Sequence, residues 1–137
     1  MPLSYQIFAD QNLNVVRYQG YVRAEETLEV FYTYLEDPDF QPNQLQLVDL
    51  THVTGAQVDL EKMLAMQAEK VKRLLPNGGR IQMMVLAPND VSRAMASLVQ
   101  KSWEPFPADV MICETSQADA LRQLGVESEN FATISTP

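Results

Sequence analysis

Leu45-Gln46-Leu47-Val48-Asp49-Leu50 is an almost continuous apolar run set between polar stretches. A segment of this kind reads as a strand buried on both faces, as strands inside parallel sheets are. A polar stretch from Asp49 to Asp59 follows, and then Leu60, Met63, Leu64, Gln67, Ala68, Val71, Leu74 and Leu75 recur at helical spacing until Pro76-Asn77-Gly78-Gly79. The period predicts a second helix that stops at the Pro and Gly cluster. Arg80 to Ala87 is apolar again and reads as the next strand. Strand, helix and strand in that order need a crossover connection, which lays the two strands parallel with the helix packed on the sheet.

The flanking segments extend this unit in both directions. Leu3 to Ala9 and Leu13 to Val22 are rich in Tyr, Ile, Phe and Val and are separated by Asp10-Gln11-Asn12, which predicts an N-terminal β-hairpin. Ala24, Leu28, Phe31 and Leu35 mark one face of a first helix, with Glu25, Glu26, Glu29 and Glu36 opposite. Towards the C-terminus, Asn89 can cap a third helix carrying Val91, Ala94, Met95, Leu98 and Val99, closed by Pro105 and Pro107. Val110 to Cys113 is a fifth strand, and Ser116 starts a short fourth helix that runs to Leu124 before Gly125. The expected fold is α/β: one domain over residues 3–126, with a mostly parallel five-stranded sheet, an N-terminal hairpin and four helices. The tail, 127–137, shows no period.

Composition narrows the function classes. The 137 residues are 46% hydrophobic, enough for one core, and the formal net charge is -8. A net anion is repelled by a phosphate polymer, so no nucleic-acid partner is expected. The longest purely apolar run, Met83 to Ala87, is too short to span a bilayer, and the first residues lack a signal-peptide pattern. A cytoplasmic protein with no stable membrane insertion is the expectation. The single cysteine, Cys113, falls in a strand and reads as core; it cannot form an intrachain disulfide or a cysteine-rich metal site. Gly78-Gly79 follows a helix and precedes a strand, the reverse of a phosphate-binding loop. Neither a metal nor a cofactor is expected.

In a parallel sheet, ligand crevices form at the carboxyl ends of the strands, where helix N-termini point. The stretch Asp49 to Asp59 occupies such a place and reads as a loop, bringing Thr51, the only histidine His52, Thr54 and Asp59 together; Asn89 and Arg93 belong to a second such loop. A hydrolytic reading would make His52 a general base oriented by Asp49, with Thr51 or Thr54 as nucleophile. The preferred reading is plainer: Asp59 caps helix two, the threonines satisfy loop backbone, and His52 is a half-exposed turn residue. A metal site from Asp49, His52 and Asp59 lacks the repeated ligands such sites need. Lys70, Lys72 and Arg73 end helix two, where cations oppose the helix dipole. That basic helix and the acidic first helix could also meet across a homodimer interface, with Tyr32, Tyr34, Met66 and Trp103 contributing.

Leu47-Val48-Asp49-Leu50-Thr51-His52-Val53-Thr54 resembles the strand-and-loop signature of the STAS (anti-sigma-factor antagonist) fold. The whole chain more closely resembles the SpoIIAA-like STAS/SEC14 group, through Gly20-Tyr21-Val22, Asp37-Pro38-Asp39-Phe40, Val48-Asp49-Leu50, Val85-Leu86-Ala87-Pro88 and Ala118-Asp119-Ala120-Leu121 in that order. The resemblance covers residues 3–126 and implies a non-enzymatic binding or regulatory module acting through a protein partner or a second copy. The phosphorylated antagonists carry Asp-Ser-Ser-Gly at the helix start; an ungapped alignment puts Gln57-Val58-Asp59-Leu60 there, without the phosphoacceptor serine. The SEC14 relationship implies an alternative, a small apolar or lipid-like ligand held under helices two and three by Met63, Met66, Met95 and Leu98. The candidate binding residues are therefore Asp49, Thr51, His52, Thr54, Asp59, Met63, Met66, Asn89 and Arg93.

Overall fold

In a computed structural model, residues 3–57 and 59–126 are described; the tail 127–137 lies outside the described residues. The chain runs through β1 (Leu3–Phe8), a 3-10 turn (Ala9–Gln11), β2 (Leu13–Arg23), α1 (Ala24–Leu35), β3 (Leu45–Gln57), α2 (Leu60–Leu74), β4 (Ile81–Leu86), α3 (Asp90–Trp103), β5 (Ala108–Cys113) and α4 (Gln117–Gln123). One sheet holds the strands in the order β1-β2-β3-β4-β5. β1 is antiparallel to β2, and every later pair is parallel. This is the expected α/β architecture, with the strand order now known.

Because each parallel crossover joins neighbouring strands and always steps the same way, one handedness puts all three intervening helices on one face. Phe31 and Tyr34 of α1, Met63, Met66 and Leu74 of α2, and Ala96, Val99 and Trp103 of α3 share a core with Val48, Leu50, Met83 and Val85. The other face packs Leu13, Val15, Leu47, Met84, Leu86 and Cys113 against Ala120 and Leu121 of α4. Successive residues of β3 and β4 thus alternate between two cores, the physical source of their continuous apolar sequence. The caps are as expected: Asp59 Oδ1 accepts from the Lys62 amide at 2.7 Å, Asn89 Oδ1 from the Ser92 amide at 2.9 Å, and Ser116 Oγ from the Asp119 amide at 3.1 Å.

The stretch after Leu50 differs from the expectation. It is not a loop: β3 continues to Gln57 and pairs with β2 as far as Arg23↔Gln57, whereas its pairing with β4 covers only Gln46 to Asp49. The 13 residues of β3 face the 11 of β2, and the two extra residues enter at register shifts opposite Arg17/Gln19 and Gly20/Tyr21. Gly20 has φ +68°, a left-handed conformation that a bulged strand accepts most readily from glycine. Opposite the second shift, the Tyr21 ring covers Gly55, where an added Cβ would come within 3.3 Å of it. A two-stranded β2–β3 ribbon therefore runs on past the end of the β4 pairing, with Val53 still buried in the three-helix core.

Candidate functional site

The ribbon separates the sequence candidates into distinct places. Asp49 is buried, its Oδ1 accepting from the Thr51 amide at 2.9 Å and from the Thr51 hydroxyl at 2.5 Å, while Oδ2 lies 3.7 Å from Arg17 Nε. His52 and Thr54 are exposed on the ribbon. Among the described residues Asp49 makes no hydrogen bond or ion pair with His52, so the hydrolytic pairing does not form. Asp49 is held instead by Thr51 and Arg17, and three residues of extended strand carry the His52 backbone roughly 10 Å further on.

Thr51 and Asn89 do come together, through Asn89 Nδ2 donating to the Thr51 carbonyl at 2.9 Å. Arg93 turns away from them to an ion pair with Asp90 and another, at 3.4 Å, with Glu114. Asp59 stands alone at the start of α2. Tyr34, Met66 and Trp103, considered above as interface residues, are interior; Tyr32 is 42% exposed. The acidic and basic helices lie side by side within one chain, and the open groove between them is lined by Glu25, Leu28, Tyr32, Lys62, Met66 and Glu69. Among the described residues no group of three His, Cys, Asp or Glu side chains is placed to hold a metal ion, and no helix is long and apolar enough to cross a membrane.

Beneath α1, α2 and α3 lie two small cavities. One of 60 Å3 is lined by Asn14, Tyr18, Thr27, Tyr34, Gln46 and Lys70 among apolar neighbours. The other, of 40 Å3, is lined by Met63, Met66, Gln67, Lys70, Met95 and Trp103. Met63, Met66 and Met95 line this second cavity, while Leu98 is not among its walls. Neither void holds an acyl chain, for which a pocket of several hundred Å3 is needed.

Polar side chains outside the set of candidate binding residues surround these cavities. Lys70 borders both, its Nζ 5.7 Å from the centroid of the Phe31 ring. Burial pushes its amine down from 10.5 to about 8, since the charged form loses water. No described carboxylate forms an ion pair with it. Burial likewise pushes the Tyr18 phenol up, against a hydrogen bond from Thr27 that lowers it.

Asn14 ends a directional chain of hydrogen bonds. Gln44 Nε2 donates to the Asp39 carbonyl (3.0 Å), the Tyr34 hydroxyl donates to Gln44 Oε1 (2.5 Å), Gln46 Nε2 donates to the Tyr34 oxygen (3.1 Å), and Asn14 Nδ2 donates to Gln46 Oε1 (3.0 Å). The Asp39 carbonyl can only accept, so every amide downstream has its orientation set and Asn14 Oδ1 is left without a partner among the described residues. Gln67 is oriented in the same way. Ser102 Oγ donates to the Val99 carbonyl (2.6 Å), hence accepts from Gln67 Nε2 (2.9 Å), and Gln67 Oε1 is also buried without a partner. Helical period was the available signal: Met63, Met66, Gln67, Lys70 and Leu74 share one face of α2.

No protein-family model matches the chain, and no curated protein matches it in sequence. Solved structures match in shape. An uncharacterised protein of the DUF3478 family with a SpoIIAA-like fold, from Shewanella loihica PV-4, is 14% identical with a TM-score of 0.59, over 89% of this chain and 93% of that one. The anti-sigma factor antagonist SpoIIAA in its unphosphorylated form is 10% identical with a TM-score of 0.55, over 90% of this chain and 97% of that one. The element order, the hairpin at one sheet edge and these likenesses agree: the chain has a SpoIIAA-like, STAS-type α/β fold.

Proposed function

We propose that this chain is a non-enzymatic STAS-like binding or regulatory module, cytoplasmic, whose partner is a protein docked on the projecting β2–β3 ribbon and the start of α2. The observation that carries the reading is the ribbon itself. Beyond Asp49, β3 is paired with β2 on one side and, among the described residues, with no strand on the other, where only the Thr51 carbonyl is taken, by Asn89 Nδ2, while His52, Thr54 and Tyr21 stand exposed. An open strand edge offers unpaired backbone groups in a fixed row, which is how extended peptide segments are recognised by strand addition. SpoIIAA, similar in fold, is by its name an antagonist of an anti-sigma factor, a role exercised on another protein.

The start of α2 supports constitutive rather than phosphate-switched binding. Asp59 already places a carboxylate on the helix N-terminus, which disfavours a second anion there. The test compares wild type with His52→Glu/Thr54→Arg, two exposed positions whose change leaves the core untouched. A specific protein from the source cell should be retained by wild type and lost by the variant at an unchanged thermal midpoint. Retention by both, or no specific protein with wild type and a solution mass of one chain, overturns the reading; a mass of two chains that the same variant reduces to one identifies a second copy as the partner.

A further inference from the structure

The two cavities share Tyr18, Thr27, Val48, Lys70, Met83 and Trp103 in their walls, so they form two lobes of one interior site with Lys70 at the junction. Asn14 borders one lobe and Gln67 the other. Both are nearly fully buried, at 1% and 3% exposure, and each retains an amide oxygen with no hydrogen-bond partner among the described residues. Unmet acceptors of this kind are rare in folded interiors, because a buried polar atom without a partner forfeits its hydration. Lys70, half-buried between them, holds its ammonium against the Phe31 ring and forms no ion pair with a described carboxylate. Two buried acceptors without a partner among the described residues, and an ammonium with no described counter-ion between them, point to a missing occupant.

Its chemistry follows from what each group lacks. Lys70 offers a positive charge and donors, so it takes an anionic acceptor. Asn14 Oδ1 and Gln67 Oε1 take donors. Val48, Met83 and Trp103 supply apolar wall, so the occupant carries a short carbon skeleton. The lobes, at 60 and 40 Å3, limit it to roughly four to six non-hydrogen atoms by comparison with cavities known to admit benzene. Tyr5, Tyr18, Val30 and Lys70 in the lining are half-buried, which brings this side of the chamber to solvent.

We propose that the chamber between the sheet and helices α1, α2 and α3 binds a small hydroxycarboxylate, its carboxylate on Lys70 and its hydroxyl on Gln67 or Asn14. This site is separate from the ribbon, and its success or failure leaves the protein-binding reading untouched. The hydroxyl distinguishes the occupant from a simple fatty or acetate-like acid, and the charge distinguishes it from an alcohol.

Calorimetric titration of the full chain tests this with glycolate and L-lactate, against propionate, which lacks the hydroxyl, and 1,2-propanediol, which lacks the carboxylate. One hydroxycarboxylate should bind saturably with Kd of about 1 mM or tighter, at least tenfold more tightly than either control. Lys70→Met should abolish the binding, and Gln67→Met or Asn14→Leu should weaken it at least tenfold. Nitrogen-edited NMR of wild type should show the Gln67 or Asn14 side-chain amide shifting on saturation. Absence of saturable binding by wild type up to about 20 mM, equal binding of lactate and propionate, or binding that survives Lys70→Met overturns the proposal. Wild type alone decides the first two outcomes, so a variant that fails to fold does not protect it.

Discussion

The two faces of the sheet are built differently. The α4 face is an apolar layer in which Leu13, Leu47, Met84, Ala120 and Leu121 are at most 1% exposed. The three-helix face buries more residues and is punctuated by Asn14, Gln46, Gln67, Lys70 and Tyr18 around two voids. A packed apolar layer gains from every methylene it removes from water, whereas a buried polar group at best breaks even when fully paired. The smaller face is thus chiefly apolar, its buried Asp49 being held by Thr51 and Arg17, and the larger one retains buried acceptors without partners among the described residues.

Substitutions on the two faces should consequently differ in size and in sign. Leu47→Ala empties a fully buried position of the α4 face and should cost about 3 kcal/mol, read as the shift in a urea transition; a loss below about 1 kcal/mol would show that layer to be loosely packed and erase the contrast. Tyr34→Phe removes the hydroxyl that joins Gln44 to Gln46 and strands two buried amide groups, for an expected loss of about 2 kcal/mol by the same measurement.

Lys70→Met should act in the opposite direction. The folded chain holds the Lys70 amine at about 8 against an ordinary 10.5, so between those values the unfolded chain binds more protons and wild-type stability rises with pH. Tyr5, Tyr18 and Tyr34, the titratable groups lining the same cavity, are pushed above their ordinary 10.0 and reverse the trend only beyond it. Replacing Lys70 should therefore raise stability at neutral pH by about 1–2 kcal/mol, given the partial exposure of the side chain, and flatten the rise from about pH 8 to about pH 10. Thermal melts across that range check it; an unaltered slope would mean that the amine is as well hydrated as in the unfolded chain. The smallest effect comes from outside both faces: Asp59→Ala deletes the α2 cap and should cost about 1 kcal/mol, a surface scale against which the interior values are read.

Legibility followed the range of the interactions involved. Helix starts were readable because Asp59, Asn89 and Ser116 act on amides three residues away. Strand β3 was readable to Leu50, where a continuous apolar run ends; Thr51 to Gln57 looked like a loop because its polar composition hides β-branched residues that β2 recruits as a partner. Among the site candidates, Thr51 with Asn89, and Met63 with Met66, were brought together, whereas Asp49 and His52 were not. Lys70 was visible only as a cation near a helix end, although its spacing from Met63, Met66 and Gln67 already put it on the buried side of α2.

From the order of residues alone came the kinds of element, their succession, their caps and the layered α/β class, since periodicity and capping are properties of neighbours along the chain. Tertiary structure alone decided that three helices share one face, that β2 and β3 run on together past the sheet, and that Asn14, Gln67 and Lys70 surround the same voids. The reason is physical: whether a polar group loses its water, and whether anything replaces that water, depends on which distant elements close over it.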